Sequence, residues 1–81
     1  MNVRSEIEMQ FKQVAQEQHK RLAPLRDGLE LLNSGLDSLC FAIIVTRLED
    51  SLGTDPFYKS EDAQFPVTFR DFVNLYEHVT Q

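Results

Sequence analysis

The run Gly35-Leu36-Asp37-Ser38-Leu39 constrains the fold of this chain more than any other. Glycine adopts backbone angles that other residues avoid, so Gly35 lets the chain change direction, and Leu36 anchors the break. Asp37 is a good helix N-cap, because its carboxylate accepts from the backbone N–H groups that a first helical turn leaves unpaired. The residues that follow, Ser38 to about Ser51, are apolar at helical spacing. A helix is therefore expected to begin sharply at mid-chain, with Ser38 exposed on its first turn. A helix N-terminus carries free N–H groups and partial positive charge, so a phosphate esterified to the Ser38 hydroxyl is tolerated there. The commoner role of a serine at such a position is that of a cap or first-turn residue.

At about 100° per residue, Phe41, Ile44, Val45, Leu48 and Leu52 fall on one side of this helix and predict its core face. Leu39, Ile43, Thr46, Arg47 and Asp50 fall on the other side. An outward face with Leu39 and Ile43 beside charges suits a docking surface, although single exposed apolar residues are also ordinary. Cys40 reads either as a partly exposed thiol or as a small packing residue, and packing is the commoner use.

Upstream, Ser5 with Glu8 forms a capping box, and Ile7, Phe11, Val14, Ala15 and Leu22 recur at three- and four-residue steps. This spacing predicts a first helix from about Ser5 to Arg21, ended before Pro24. The stretch from Ala23 to Asp37 combines Gly28, Asn33, Ser34 and Gly35 with Leu25, Leu29, Leu31, Leu32 and Leu36, which predicts a long loop pinned to a core. Gly53 is a natural helix stop, and Asp55-Pro56 turns the chain. From Phe57 to Val67 no periodicity is clear, and one short helix is expected near Ser60 to Gln64. Thr68 with Asp71 repeats the capping pattern, and Phe69, Phe72, Val73, Tyr76 and Val79 predict a last helix running to the C-terminus. The sum is an all-α fold: a small bundle of three main helices plus one short helix, with a long loop between helices one and two, in a single domain over 1–81.

With 81 residues the chain has room for one folding unit near the lower range of cores that hold without disulfides or metals. A core of that size favours a module that other proteins act upon over a self-sufficient enzyme. The formal net charge of −5 opposes binding to nucleic acid and to anionic membrane surfaces. The one cysteine, Cys40, excludes an internal disulfide, and neither a signal peptide nor a membrane-spanning run is evident, so a cytoplasmic, monomeric protein is expected. As a catalytic nucleophile Ser38 would need a base. The only histidines, His19 and His78, fall toward helix ends, and the run around Ser38 lacks the Gly-x-Ser-x-Gly elbow. No metal-ligand spacing, phosphate-cradling glycine loop or basic-aromatic pattern is present.

At Asp37-Ser38-Leu39 the sequence resembles the acyl carrier and peptidyl carrier protein family, whose serine receives 4′-phosphopantetheine within an Asp-Ser-Leu motif. The resemblance extends over most of the chain: a first helix, a leucine-bearing loop, the motif, a second helix ending near Leu52-Gly53, an irregular segment and a last helix. It implies a non-catalytic carrier of thioester-linked acyl intermediates in fatty-acid-like, lipid or polyketide biosynthesis. Ser38 would bear the covalent arm, and Asp37 would be read by a phosphopantetheinyl transferase. Loading ligases and synthase or transferase enzymes would be the further partners, docking at Leu39, Ile43 and Arg47. Fatty-acid carriers present an acidic second helix, whereas here Ile43 and Arg47 stand where those carriers show carboxylates. That departure keeps open an aminoacyl or peptidyl carrier of nonribosomal type. A third reading is an unmodified helical interaction domain.

Overall fold

The computed structural model describes residues 2–53 and 66–80. Among the described residues there are three α-helices: α1 over Val3–Glu17, α2 over Ser38–Leu52 and α3 over Phe69–Thr80. A single 3₁₀ turn, Leu31–Asn33, lies in the long loop between α1 and α2. Among the described residues there is no strand, and one isolated antiparallel bridge joins Glu30 to Thr68. The expected short helix at Ser60 to Gln64 lies outside the described residues.

α2 follows its sequence signals. Asp37 has extended backbone angles and accepts from the N–H of Cys40 at 3.0 Å, while Gly53 closes the helix at a left-handed φ of 73°. Its last residue is Leu52, as expected from the Gly53 stop and within one residue of the end expected at about Ser51. The start of α3 is a reciprocal capping box: the Thr68 N–H donates to Asp71 and the Asp71 N–H donates to the Thr68 hydroxyl.

α1 departs from expectation at both ends. Its cap is Asn2, whose side chain accepts from the Arg4 N–H at 2.7 Å, so Ser5 lies inside the helix and caps nothing. Its last helical residue is Glu17, not Arg21. The reason is His19, which takes a left-handed φ of 57°. The His19 N–H donates to the Gln16 carbonyl and the Lys20 N–H to the Ala15 carbonyl, the pairing of a Schellman motif. Histidine is one of the few non-glycine residues enriched in that conformation. Leu22 therefore belongs to the loop, where it packs half-buried against the core.

Phe11 is the hub of the core. Its ring meets Phe41 of α2 at 6.0 Å and Phe69 and Phe72 of α3 at 5.2 and 5.3 Å, in each case edge-on. Such pairs add about 0.5–1.5 kcal/mol each to the stabilisation from burial. Ile7, Val14, Ile44, Leu48 and Tyr76 complete the interior without measurable exposure. Beside it, Glu6 and Gln10 are buried polar residues: Glu6 accepts from Gln10 at 3.2 Å and from Ser51, near the end of α2, at 2.8 Å.

The loop is pinned, as its leucines predict. Leu29, Leu31 and Leu36 are buried and Leu25 is half-buried, while Leu32 points outward. Backbone bonds fasten it to the start of α3, from Leu31 N–H to Val67 and from Phe69 N–H to Leu29. Another ties it to itself, from Ala23 N–H to Ser34. Gly35 sits against this crossing with φ 95°, and a Cβ there would overlap the carbonyl oxygen of Arg21.

Candidate functional site

Three residues before the cap, the chain is held by a serine that sequence reasoning passed over. Ser34 is fully buried; its hydroxyl donates to the Leu31 carbonyl at 2.6 Å and accepts from the Leu36 N–H at 3.3 Å. A serine followed by glycine is the one sequence sign of such a side-chain-closed turn. Ser34→Ala would leave the Leu36 N–H without this partner. A loss of about 1–2 kcal/mol is expected, read as a lower urea midpoint with an unchanged slope.

The loop delivers Leu36 into the core and Asp37 to the helix start, which leaves Ser38 as the first residue of α2, exposed to solvent. Two carboxylate oxygens of Asp37 are used: Oδ1 on the Cys40 N–H, and Oδ2 on Lys20 Nζ at 3.2 Å. The Cys40 backbone bond is the first cause, with the Cys40 thiol and Lys20 behind it, that holds the Asp37 carboxyl down to about 2. A depressed folded-state value contributes stability above the ordinary carboxylate range, and that contribution is lost as pH falls from about 4 toward 2. The wild type is therefore expected to lose thermal stability over that interval more steeply than Asp37→Asn, whose amide still caps but does not titrate. Identical acid profiles by circular dichroism would remove Asp37 from this role.

Cys40, two residues beyond Ser38, is completely buried, and burial pushes its thiol above the ordinary range. This is the packing residue of the two readings; the thiol is inaccessible in the folded chain.

Beside Ser38 runs an apolar groove of about 920 Å³. Leu31, Leu32 and Leu36 form its loop side, Phe41, Ala42 and Val45 its α2 side, and Pro66 and Val67 close it; Glu30, Asp37 and Ser38 also line it. Its size is that of a small-molecule site, and its lining is almost wholly hydrocarbon. Neither His19 nor His78 contributes to it.

No family model, curated protein or solved structure matches this chain. Among the described residues there is also no cluster of His, Cys, Asp and Glu able to hold a metal, and no helix long and apolar enough to cross a membrane.

The residues expected to dock partners occupy different environments. Leu39 is 58% exposed. Ile43 is half-buried and packs against the core. Arg47 is drawn to the flank by a bidentate pair with Glu17 at the end of α1, 2.9 Å at Nη1. The pairing stabilises both charges, holding the Glu17 carboxyl below its usual range and the Arg47 guanidinium above it. The outward crest of α2 is instead Ser38, Leu39, Ala42 and Thr46, all exposed. The sequence pattern hides this crest because Glu17 stands thirty residues from Arg47.

Proposed function

We propose that this chain is a carrier protein that bears 4′-phosphopantetheine on Ser38 and presents thioester-linked acyl intermediates to partner enzymes. The supporting observation is the position of Ser38: an exposed residue on the first turn of a long helix, at the edge of an apolar groove whose lining includes no histidine. A nucleophile of its own would need a base within hydrogen-bond reach. An acceptor of a phosphate ester needs only access, since the transferase supplies the base and the metal, and the helix N-terminus suits the charge of the product. Tethering then raises the effective concentration of cargo at each enzyme the carrier meets. The groove offers apolar cargo a surface away from water.

An aminoacyl or peptidyl carrier is the second reading, favoured by the absence of carboxylates from the exposed crest over the first three turns of α2.

The buried cysteine provides a test. In the folded apo chain the only thiol is Cys40, which is inaccessible, so an aqueous thiol reagent under native conditions is expected to label almost nothing. After incubation with coenzyme A, magnesium and a phosphopantetheinyl transferase, followed by removal of the coenzyme A, one equivalent should react rapidly. No new reactive thiol in the folded, transferase-treated chain would count against the carrier reading.

A further inference from the structure

Attachment of the arm would set a permanent negative charge beside one that is already there. In the transfer the Ser38 oxygen bonds to the phosphorus that bears the pantetheine. The pyrophosphate bond of coenzyme A breaks, adenosine bisphosphate leaves with the electron pair, and the serine proton goes to the transferase. What stays on Ser38 is a phosphodiester, ionised at any physiological pH. Its neighbour Asp37 is ionised as well, and its Oδ1 is fixed on the Cys40 N–H. Two anions would then stand on adjacent residues, whose Cα atoms are about 3.8 Å apart, in a chain whose net charge is already −5.

The fold brings a cation to this spot. α1 ends at Glu17, and the left-handed turn at His19 takes Lys20 out of the helix. Lys20 Nζ then lies 3.2 Å from Asp37 Oδ2, the oxygen that the cap bond leaves over. The lysine side chain keeps 37% of its exposure. An ammonium has three donors on a flexible four-carbon stem, so one contact with Asp37 leaves it able to serve a second anion. Among the described residues the lining of the groove beside Ser38 includes no lysine or arginine, and Arg47 is held by Glu17.

We propose that Lys20 is the counterion of the arm: once Ser38 is esterified, its ammonium bridges the Asp37 carboxylate and the phosphodiester and offsets the repulsion between them. The reach is short, because the phosphate hangs from the residue next to the one that Lys20 already contacts. Arginine at this position would keep the charge, whereas methionine would keep most of the stem and lose the charge. The inference rests on the carrier reading and adds to it the residue that balances the charge of the bound arm.

The experiment crosses two changes, Lys20→Met and loading, and reads the melting temperature of the full chain at low and at high salt. Lys20→Met also removes the Asp37 pair from the unloaded chain, so the informative quantity is the shift that loading itself produces in each chain, in which that structural cost cancels. Loading is expected to shift the wild type and Lys20→Arg alike. It should leave Lys20→Met lower than both by roughly 2–5 °C at low salt, the size expected of one exposed ion pair in a domain this small. High salt should erase the difference by screening. A second measurement needs no variant and decides alone where Lys20→Met does not fold or load. Reductive methylation of lysine amines in the wild type, mapped by mass spectrometry, should slow several-fold at Lys20 on loading and stay constant at Lys12, an exposed lysine of α1. Equal loading shifts in the wild type and Lys20→Met, or an unchanged rate at Lys20, would overturn the counterion role and leave the carrier reading standing. A wild-type chain that no transferase loads would take down both.

Discussion

Gly35→Ala is expected to destabilise the chain by about 3 kcal/mol or more, enough to unfold much of a small domain. Two costs combine. The first is conformational: φ is 95°, where a side chain adds about 1–2 kcal/mol. The second is steric, because the new methyl group would overlap the Arg21 carbonyl oxygen and lie 3.2 Å from its carbon. These are backbone atoms of the crossing segment of the loop, so relief requires moving residues 21–23 and the Ala23 to Ser34 bond with them; forced repacking of that kind costs about 1–3 kcal/mol. Gly28, with open space around it and no positive φ, is the control: Gly28→Ala should be near neutral. Urea unfolding followed by circular dichroism distinguishes the two, and a Gly35→Ala chain as stable as Gly28→Ala would show that the loop crossing tolerates displacement.

Ser38→Ala is expected to abolish loading while leaving stability within about 0.5 kcal/mol of wild type, the range of surface substitutions. The helix keeps its start because the capping bond belongs to Asp37, and alanine is the best helix former. The loss of loading is complete because the ester oxygen itself is removed. Retention of loading would move the attachment to another side chain. Loss of folding would make the serine structural, the role a first-turn serine most often has. The paired result, an intact fold that accepts nothing, separates the two.

How far these residues could be read from sequence depended on whether their partners were local. α2 was legible at both ends because Asp37 and Gly53 act within one turn of themselves, and α3 announced itself by the Thr68 and Asp71 exchange. α1 was legible in its core stripe, since Ile7, Phe11, Val14 and Ala15 are all buried. Its ends were not. Asn2 competed with Ser5 for the cap, and His19 took a conformation ordinarily left to glycine or asparagine.

The site divides in the same way. The exposure of Ser38 followed from a cap one residue earlier. The burial of Ser34 depended on a loop crossing between 21–23 and 34–35, and the withdrawal of Arg47 depended on Glu17 on another helix. Periodicity describes one helix at a time, so it placed Ile43 and Arg47 with Leu39 on one face. The neighbouring helix then divided that face into a crest and a flank.

The most direct test of the carrier assignment is the intact mass of the folded chain after incubation with coenzyme A, magnesium and a phosphopantetheinyl transferase, run beside Ser38→Ala. One phosphopantetheinyl group is expected on the wild type, recovered on the peptide that contains Ser38, and none on the variant. An unchanged wild-type mass with several transferases, or an equal gain on both chains, would contradict the assignment of Ser38 as the attachment point.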